Sequence, residues 1–375
     1  MLVLCVQFCF GLSYSTFFLL PKFLAWQFHA HADAIGAVAA TALLASVLAS
    51  PWTGAWLDSG SRRPFIAYGA LVNGLCGCGF ALVHAVSWPI FALRIVHGVS
   101  YALVFNGIVT LAADLAPPKK LGQAIGLCGA ASIVSNAIAP SIAEPVADTH
   151  GWGWVFLLAG GAALVAALLS LGIREPKHAL LFASEAEGTP SKSALSLLRE
   201  PERIGAFVCS AANGAAFGAM FTFTQPFALS LGASKVSAFF IGYTLIALSV
   251  RLFLGGWADA WGRRRVALAA LVAYGLVAAL TSQLRPNLLF ASGAGLGLAH
   301  GLLYPSLNAL AAEGVPRARR GAVMSYFFGC FGAGSALWVL ASGVVAKAHG
   351  YPVVFLATGL LTWVAIAFLP KKAAG

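Results

Sequence analysis

Residues Gly54–Arg63 read GAWLDSGSRR, and residues Gly255–Arg264 read GGWADAWGRR. Gly54, Asp58, Arg62 and Arg63 recur as Gly255, Asp259, Arg263 and Arg264, at an offset of 201. A second match lies further along each copy. Asp114, Pro117, Lys120 and Gly122 correspond to Glu313, Pro316, Arg319 and Gly321 at an offset of 199, which Gly98 and Gly297 share. Two motif sets at nearly one offset mark a duplication, so the two halves of the chain fold alike and each motif occupies the same place in its half.

Between these motifs the chain is too apolar for water. Hydrophobic residues make up 60% of the 375 positions and charged residues 9%, a balance that no soluble surface of this size can carry. A membrane-spanning helix needs about 20 mostly apolar residues, and twelve such runs are present: 2–24, 35–57, 65–87, 90–113, 122–144, 153–173, 205–230, 236–258, 265–283, 288–312, 321–345 and 352–369. They are continuous and rich in Ala, Leu and Gly, without the alternation of a transmembrane strand. The expected fold is an all-α membrane protein of twelve helices in two pseudo-symmetric six-helix bundles. Residues 1–173 form the first bundle, 203–375 the second, and the polar stretch 174–202 between them a cytoplasmic linker that holds Glu175, Glu185, Glu187, Glu200 and Glu202.

The basic residues orient this arrangement. Arg62, Arg63, Lys119, Lys120, Arg174, Lys177, Lys192, Arg199, Arg203, Arg263, Arg264, Arg265, Arg317, Arg319, Arg320, Lys371 and Lys372 fall on one side if both termini are cytoplasmic, whereas Lys22, Lys235, Arg285 and Lys347 fall on the other and Arg94 and Arg251 lie within helices. This is the positive-inside asymmetry of an inner (plasma) membrane protein. It accounts for the net charge of +11 without any nucleic-acid partner. The first run lacks the basic start and small-residue cleavage site of a secretory signal and reads as helix one, with the start codon set slightly late. Cys5, Cys9, Cys76, Cys78, Cys128, Cys209 and Cys330 all lie inside apolar runs. Their spacing supports neither a metal site nor a disulfide framework, and they read as buried free thiols. No cofactor is expected.

With two copies of the loop motif in corresponding loops, the whole chain resembles the major facilitator superfamily, whose motif between helices two and three is G-x-x-x-D-x-x-G-R-R. The second copy matches it fully through Gly255, Asp259, Gly262, Arg263 and Arg264, while the first has Ser61 where glycine is usual. The resemblance implies a monomeric alternating-access carrier whose cytoplasmic gate is formed by Gly54, Asp58, Arg62, Arg63, Asp114, Gly255, Asp259, Gly262, Arg263, Arg264 and Glu313. The residue types suit that task. Glycine allows close helix packing, a carboxylate suits the positive end of a helix, and the arginines can pair with Asp114 and Glu313. The alternative is that these charges only anchor the topology.

Ionisable and polar groups at membrane depth are costly and mark function by default. Arg94, His97 and Tyr101 share one face of the fourth helix, and Arg94 with Gly98 matches an Arg-x-x-x-Gly pattern of the resembled family. His300 and Tyr304 lie on the tenth helix, Gln7 and Tyr14 on the first, Ser132, Ser135 and Asn136 on the fifth, and Asn213, Thr224 and Gln225 on the seventh. In the resembled family helices one, four, seven and ten line the cavity. The expected substrate-binding set is therefore Arg94, His97, Tyr101, Tyr14, Asn136, Asn213, Gln225, His300 and Tyr304, against the alternative that these residues only bond neighbouring helices. Arg251 is either part of this set or a partner of the gate charges. Glu144, a carboxylate at a helix end with Arg94 as the cation at its depth, is the candidate for proton coupling, or else an interfacial residue in water.

Enzyme chemistry lacks its parts. No G-x-S-x-G, H-E-x-x-H or paired mid-helix aspartates occur, and no repeated selectivity element suggests a channel. A receptor or scaffold remains as a rival class, although it has no need of a duplicated gate. The cationic cavity without a mid-membrane carboxylate argues against a cationic drug and for a small organic anion or amphiphilic metabolite, coupled to protons. Small residues and Pro140 on the fifth helix resemble the family's antiporter motif without its glycines and favour export, with uptake permease or uniporter as the alternative.

Overall fold

The structure is a computed structural model that describes residues 1–58, 60–116, 121–175, 201–254, 261–315 and 317–370. Among the described residues it is helical throughout. The helices are α1 (Leu2–Thr16), α2 (Leu20–Gln27), α3 (Ala32–Asp58), α4 (Arg63–Phe80), α5 (Trp88–Leu115), α6 (Leu121–His150), α7 (Trp152–Leu171), α8 (Pro201–Ser230), α9 (Ser237–Phe253), α10 (Arg263–Thr281), α11 (Leu289–Ala312), α12 (Arg317–His349) and α13 (Tyr351–Ala365). Ten segments among the described residues are long and apolar enough to span a membrane, with α1 and α2 counted as one. The other two of the twelve expected runs are α4 and the shorter apolar helix α9. In α4 the run opens on Arg63, holds Asn73 and four glycines, and stops at Phe80 where continuous helix to residue 87 is expected. The linker 174–202 lies almost wholly outside the described residues.

Local chemistry explains the breaks. Pro21 cannot sit four residues after an ordinary helical carbonyl without a clash, and the chain relieves this with a 3-10 turn at Phe17–Leu19 before α2 begins. Conversely, α6 runs through Pro140 and Pro145 to His150, past the apolar stretch. Glu144 is therefore inside a helix that continues six residues beyond it, where the sequence reading puts it at a helix end. α6 and α12 both stop at a His-Gly pair, His150-Gly151 and His349-Gly350, again 199 apart. Each glycine has a positive φ (88° and 84°), which only glycine adopts without steric cost. This third repeat element lies outside the loop motifs.

Two units emerge from the contacts. The first comprises Met1–Phe28 with Thr41–Thr189, the second His29–Ala40 with Pro190–Gly375. The start of α3 thus belongs with the second unit, because a Cβ on Gly36 would meet the Val339 carbonyl at 2.8 Å and Lys347 Nζ lies 2.7 Å from Asp33 Oδ2. Asp33 is accordingly in the first turn of a helix, where an outer loop is expected. Inside the first unit α1 packs on α6 and α7, and α4 on α5 and α7. Inside the second, α8 packs on α12 and α13, and α10 on α11 and α13.

The closest approaches are backbone on backbone. A Cβ built on Gly98 of α5 would sit 2.2 Å from the Ala42 carbonyl of α3, and one on Gly297 of α11 would sit 2.4 Å from the Tyr243 carbonyl of α9. Ala42 and Tyr243 are themselves 201 apart, so the duplicated glycines make the same crossing in each unit. Without a hydrophobic force between helices in lipid, such contact is what joins them. Gly98→Ala and Gly297→Ala are expected to destabilise the protein by about 1–3 kcal/mol, read as a lowered melting midpoint of the detergent-solubilised protein. Gly161→Ala, whose Cβ meets nothing within 4 Å, should leave the midpoint unchanged.

Candidate functional site

In the first unit α5 carries Arg94, His97 and Tyr101. Arg94 and His97 are buried, and an Arg94 Nη1 donates to His97 Nδ1 at 2.8 Å. A guanidinium can only donate, so the hydrogen of the neutral His97 ring is on Nε2, which has no hydrogen-bond partner. Aromatic rings enclose this donor. Tyr14 stacks on His97 and on Tyr101, with centroids 5.2 and 3.9 Å apart, and Phe17 lies 4.2 Å from His97. Phe17 owes that place to the 3-10 turn before Pro21. The polar residues of α6 bond α1 instead: Gln7 donates to Ser132, and Ser15 donates to Asn136 Oδ1 at 2.8 Å.

The second unit holds a nest of similar chemistry. His300 Nδ1 and Asn213 Oδ1 are 3.1 Å apart. The amide oxygen accepts, so His300 carries its hydrogen on Nδ1, and Asn213 Nδ2 is left as a buried donor without a partner. Phe217, Tyr304 and Phe331 surround the imidazole at 4.8, 5.4 and 6.0 Å. The Tyr274 hydroxyl, also buried, has no hydrogen-bond partner. Gln225 is buried on α8, where its Nε2 donates to the Phe221 carbonyl at 2.7 Å.

The ion pairs divide into a membrane pair and a loop cluster. Lys22 Nζ lies 2.6 Å from Glu144 Oε1, with both side chains buried. The cation in contact with the carboxylate is thus Lys22, where the sequence reading offers Arg94 and treats Lys22 as an outer helix end. At the loop motif, Arg62 Nε is 3.1 Å from Asp114 Oδ2. The geometry is that of an ion pair without an aligned hydrogen bond. Glu175, assigned to the linker, accepts from the backbone N–H groups of Arg62 and Arg63 and so caps the positive end of α4. The Asp58 side chain, Gly255 and Asp259 lie outside the described residues. A Cβ on Gly54 would meet nothing within 4 Å, so no close helix crossing is found there. Arg264 Nε donates to the Pro370 carbonyl at 2.9 Å, and Glu313 is exposed at the end of α11. Gly262 turns the chain into α10 with φ 91°, and Arg263 opens that helix.

Asn73 was not singled out by sequence reasoning. It is buried on α4, donating to Ser13 Oγ at 3.2 Å and accepting from Ser100 Oγ at 3.1 Å. An amide inside an apolar run is itself the signal. All seven cysteines are free, with Cys76, Cys128 and Cys209 buried and Cys5 exposed on the helix surface.

Membrane-spanning helices, buried ionisable groups within them and a duplicated basic loop define a multi-pass membrane transporter. The family model of the Major Facilitator Superfamily matches residues 3–250 and 228–374, and the chain belongs to that family. Its members carry small molecules and are not enzymes. The chain is 25% identical over 339 residues to the multi-drug resistance efflux pump PmrA of Streptococcus pneumoniae, covering 87% of this chain and 82% of that one. It is 20% identical over 354 residues to the staphylopine export protein of Staphylococcus aureus, covering 90% and 87%. Among solved structures, a mutant form of the nucleoside transporter NupG superposes with a TM-score of 0.80 at 17% identity, over 98% of this chain and 99% of that one. A POT family transporter in complex with 5-aminolevulinic acid gives 0.78 at 15%, over 99% and 96%.

Removing one member of a buried ion pair strands the other, at a cost of about 3–5 kcal/mol. Lys22→Met is expected to lower the melting midpoint strongly, and Lys22→Met combined with Glu144→Leu to recover most of the loss. A double-mutant cycle on purified protein measures this coupling.

Proposed function

We propose that the chain is a proton-coupled exporter of a small organic anion or amphiphilic metabolite, working by alternating access as a monomer of twelve spans in two six-helix bundles (1–173 and 203–375, joined by 174–202). Its place is the inner membrane with both termini in the cytoplasm, in keeping with the distribution of Lys and Arg. Export is supported by the relatives whose names describe efflux and export. The cargo class is supported by the two nests, each of which presents an unpartnered buried donor, His97 Nε2 or Asn213 Nδ2, within aromatic walls. Arg94, His97, Tyr14 and Tyr101 bind cargo on one side of the pseudo-symmetry; Asn213, Gln225, His300 and Tyr304 do so on the other, and Asn136 supports α1.

The observation that carries the coupling is the buried Lys22–Glu144 pair. Among the described residues Glu144 is the one buried carboxylate. When ionised it is held by Lys22, and a proton on it releases the lysine. Such a pair has two charge arrangements that a conformational cycle can bias. On the cytoplasmic side Arg62, Arg63 and Asp114 with Asp58, and Arg263, Arg264 and Glu313 with Asp259, act as the gate.

The coupling is tested in proteoliposomes with a solute selected by thermal-shift screening of organic anions. Lys22→Met with Glu144→Gln, which leaves no stranded charge, should retain downhill exchange and lose accumulation driven by a pH gradient. Accumulation at the wild-type level removes the pair from the mechanism. In the same preparation Arg94→Ala should weaken cargo binding by about tenfold or more, the loss expected of a charge-assisted hydrogen bond of about 1.5–3 kcal/mol. Arg94→Lys should restore it only in part, because an ammonium lacks the planar fork. Unchanged affinity in Arg94→Ala assigns that residue a structural role.

A further inference from the structure

A cavity of about 380 Å³ lies within the second unit, whereas the Lys22–Glu144 pair and the first nest belong to the first. Its walls come from the last turn of α9, the first turn of α10 and the second half of α11. Most of the lining is apolar, with Val250, Leu254, Leu302 and Pro305 as its larger members. The polar contribution comes from Arg251, Tyr304, Ser306 and Asn308, and no carboxylate is among the described residues that line the cavity.

Arg251 is the unexplained group. Its Nε is buried and has no hydrogen-bond partner. A cation in the last turn of a helix gains from the helix dipole, and that alone would account for an arginine whose head reaches water. It does not account for the Nε of this half-buried arginine being left without an acceptor beside an open cavity, since a polar atom withdrawn from water costs free energy unless it is hydrogen-bonded. Tyr304, Ser306 and Asn308 bring acceptor oxygens to the wall, but none of them bonds Arg251 Nε, and the described lining holds no carboxylate, so an anionic occupant would supply the counter-charge. Two oxygens on one atom, as in a phosphate or carboxylate, match the guanidinium fork.

The apolar remainder of the cavity selects the group attached to that head. Its volume is at the small end of ligand sites, enough for a charged head and the first methylenes. Beside it Leu252 and Phe253 are 68% and 78% exposed, an apolar surface along which a chain can continue. Arg264 and Arg265, exposed two positions and one position before Val266 of the wall, add positive potential at the same end. We infer that this cavity binds the anionic head of a long-chain amphiphile, with Arg251 as its counter-cation and the apolar wall against its first methylenes. Membrane phospholipid and amphiphilic cargo share that chemistry. The inference does not depend on the direction of transport or on proton coupling.

Dodecyl phosphate is the probe, added to the full-length protein in a neutral detergent, with dodecanol and inorganic phosphate as the uncharged and tail-less controls. Binding is read from the shift in melting midpoint and by titration calorimetry. Wild-type protein should bind dodecyl phosphate and neither control comparably. Arg251→Gln should weaken it by at least tenfold, and Arg251→Lys should be intermediate. Ala309→Phe, which fills the cavity without altering its charge, should weaken binding as well and keeps the test open if Arg251→Gln folds poorly. Equal affinity in wild type, Arg251→Gln and Ala309→Phe overturns the inference, as does equal binding of dodecanol. Native mass spectrometry separates the sources. Phosphatidylglycerol retained by the wild type and lost from Arg251→Gln identifies lipid. Arg251-dependent binding of the probe without retained lipid, competing with the transported solute, identifies cargo.

Discussion

A charge inside a bilayer must be neutralised where it sits, because neither water nor salt can screen it there. The described part of this protein meets that constraint in different ways. Lys22 and Glu144 neutralise one another inside the first unit. Arg94 donates to the neutral imidazole of His97, whose ring lies against Tyr14 and Phe17. Arg251 stands beside a cavity with no carboxylate among its described lining residues. The three cases form a series from a charge satisfied within the protein to one that must be satisfied from outside, and ligand chemistry enters at the end of that series where the fold has left an electrostatic deficit.

Around these charges the scaffold is held by steric fit. The duplicated Gly98 and Gly297 bring helix backbones together at matching crossings, and the His-Gly breaks at Gly151 and Gly350 end matching helices. Duplication is thus visible at three levels: in loop chemistry, in helix crossings and in helix termination. The contents of the two units have diverged further than their frames. A buried ion pair and an arginine occupy the first, whereas the second presents an amide, tyrosines and phenylalanines around His300.

The helices and the duplication were legible in the sequence because lipid imposes a length and a polarity on every span, and because the loop motif kept its charges in both copies. The cluster of Arg94, His97 and Tyr101 was legible for a related reason, since helical spacing alone puts them on one face. What could not be read were relations between distant segments. Lys22 has a glutamate partner only because Pro21 forces a turn in the first span and α6 continues past its apolar stretch, and neither effect shows in hydropathy. Glu175 belongs by position to the polar linker, and only the fold brings its carboxylate to the start of α4. The membership of His29–Ala40 in the second unit likewise rests on Gly36 meeting the Val339 backbone, a fact of packing that no local pattern carries.

The glycine crossings also bear on how such a protein can change its cargo. Where a methyl group would land 2.2 Å from a carbonyl oxygen, drift is closed off. Where a phenylalanine or tyrosine merely faces another ring, one large side chain can replace another with the backbone undisturbed. The chain therefore separates an inherited frame from an exchangeable lining, and a search for new solutes, by selection or by design, has room to move among the rings and almost none among the crossings.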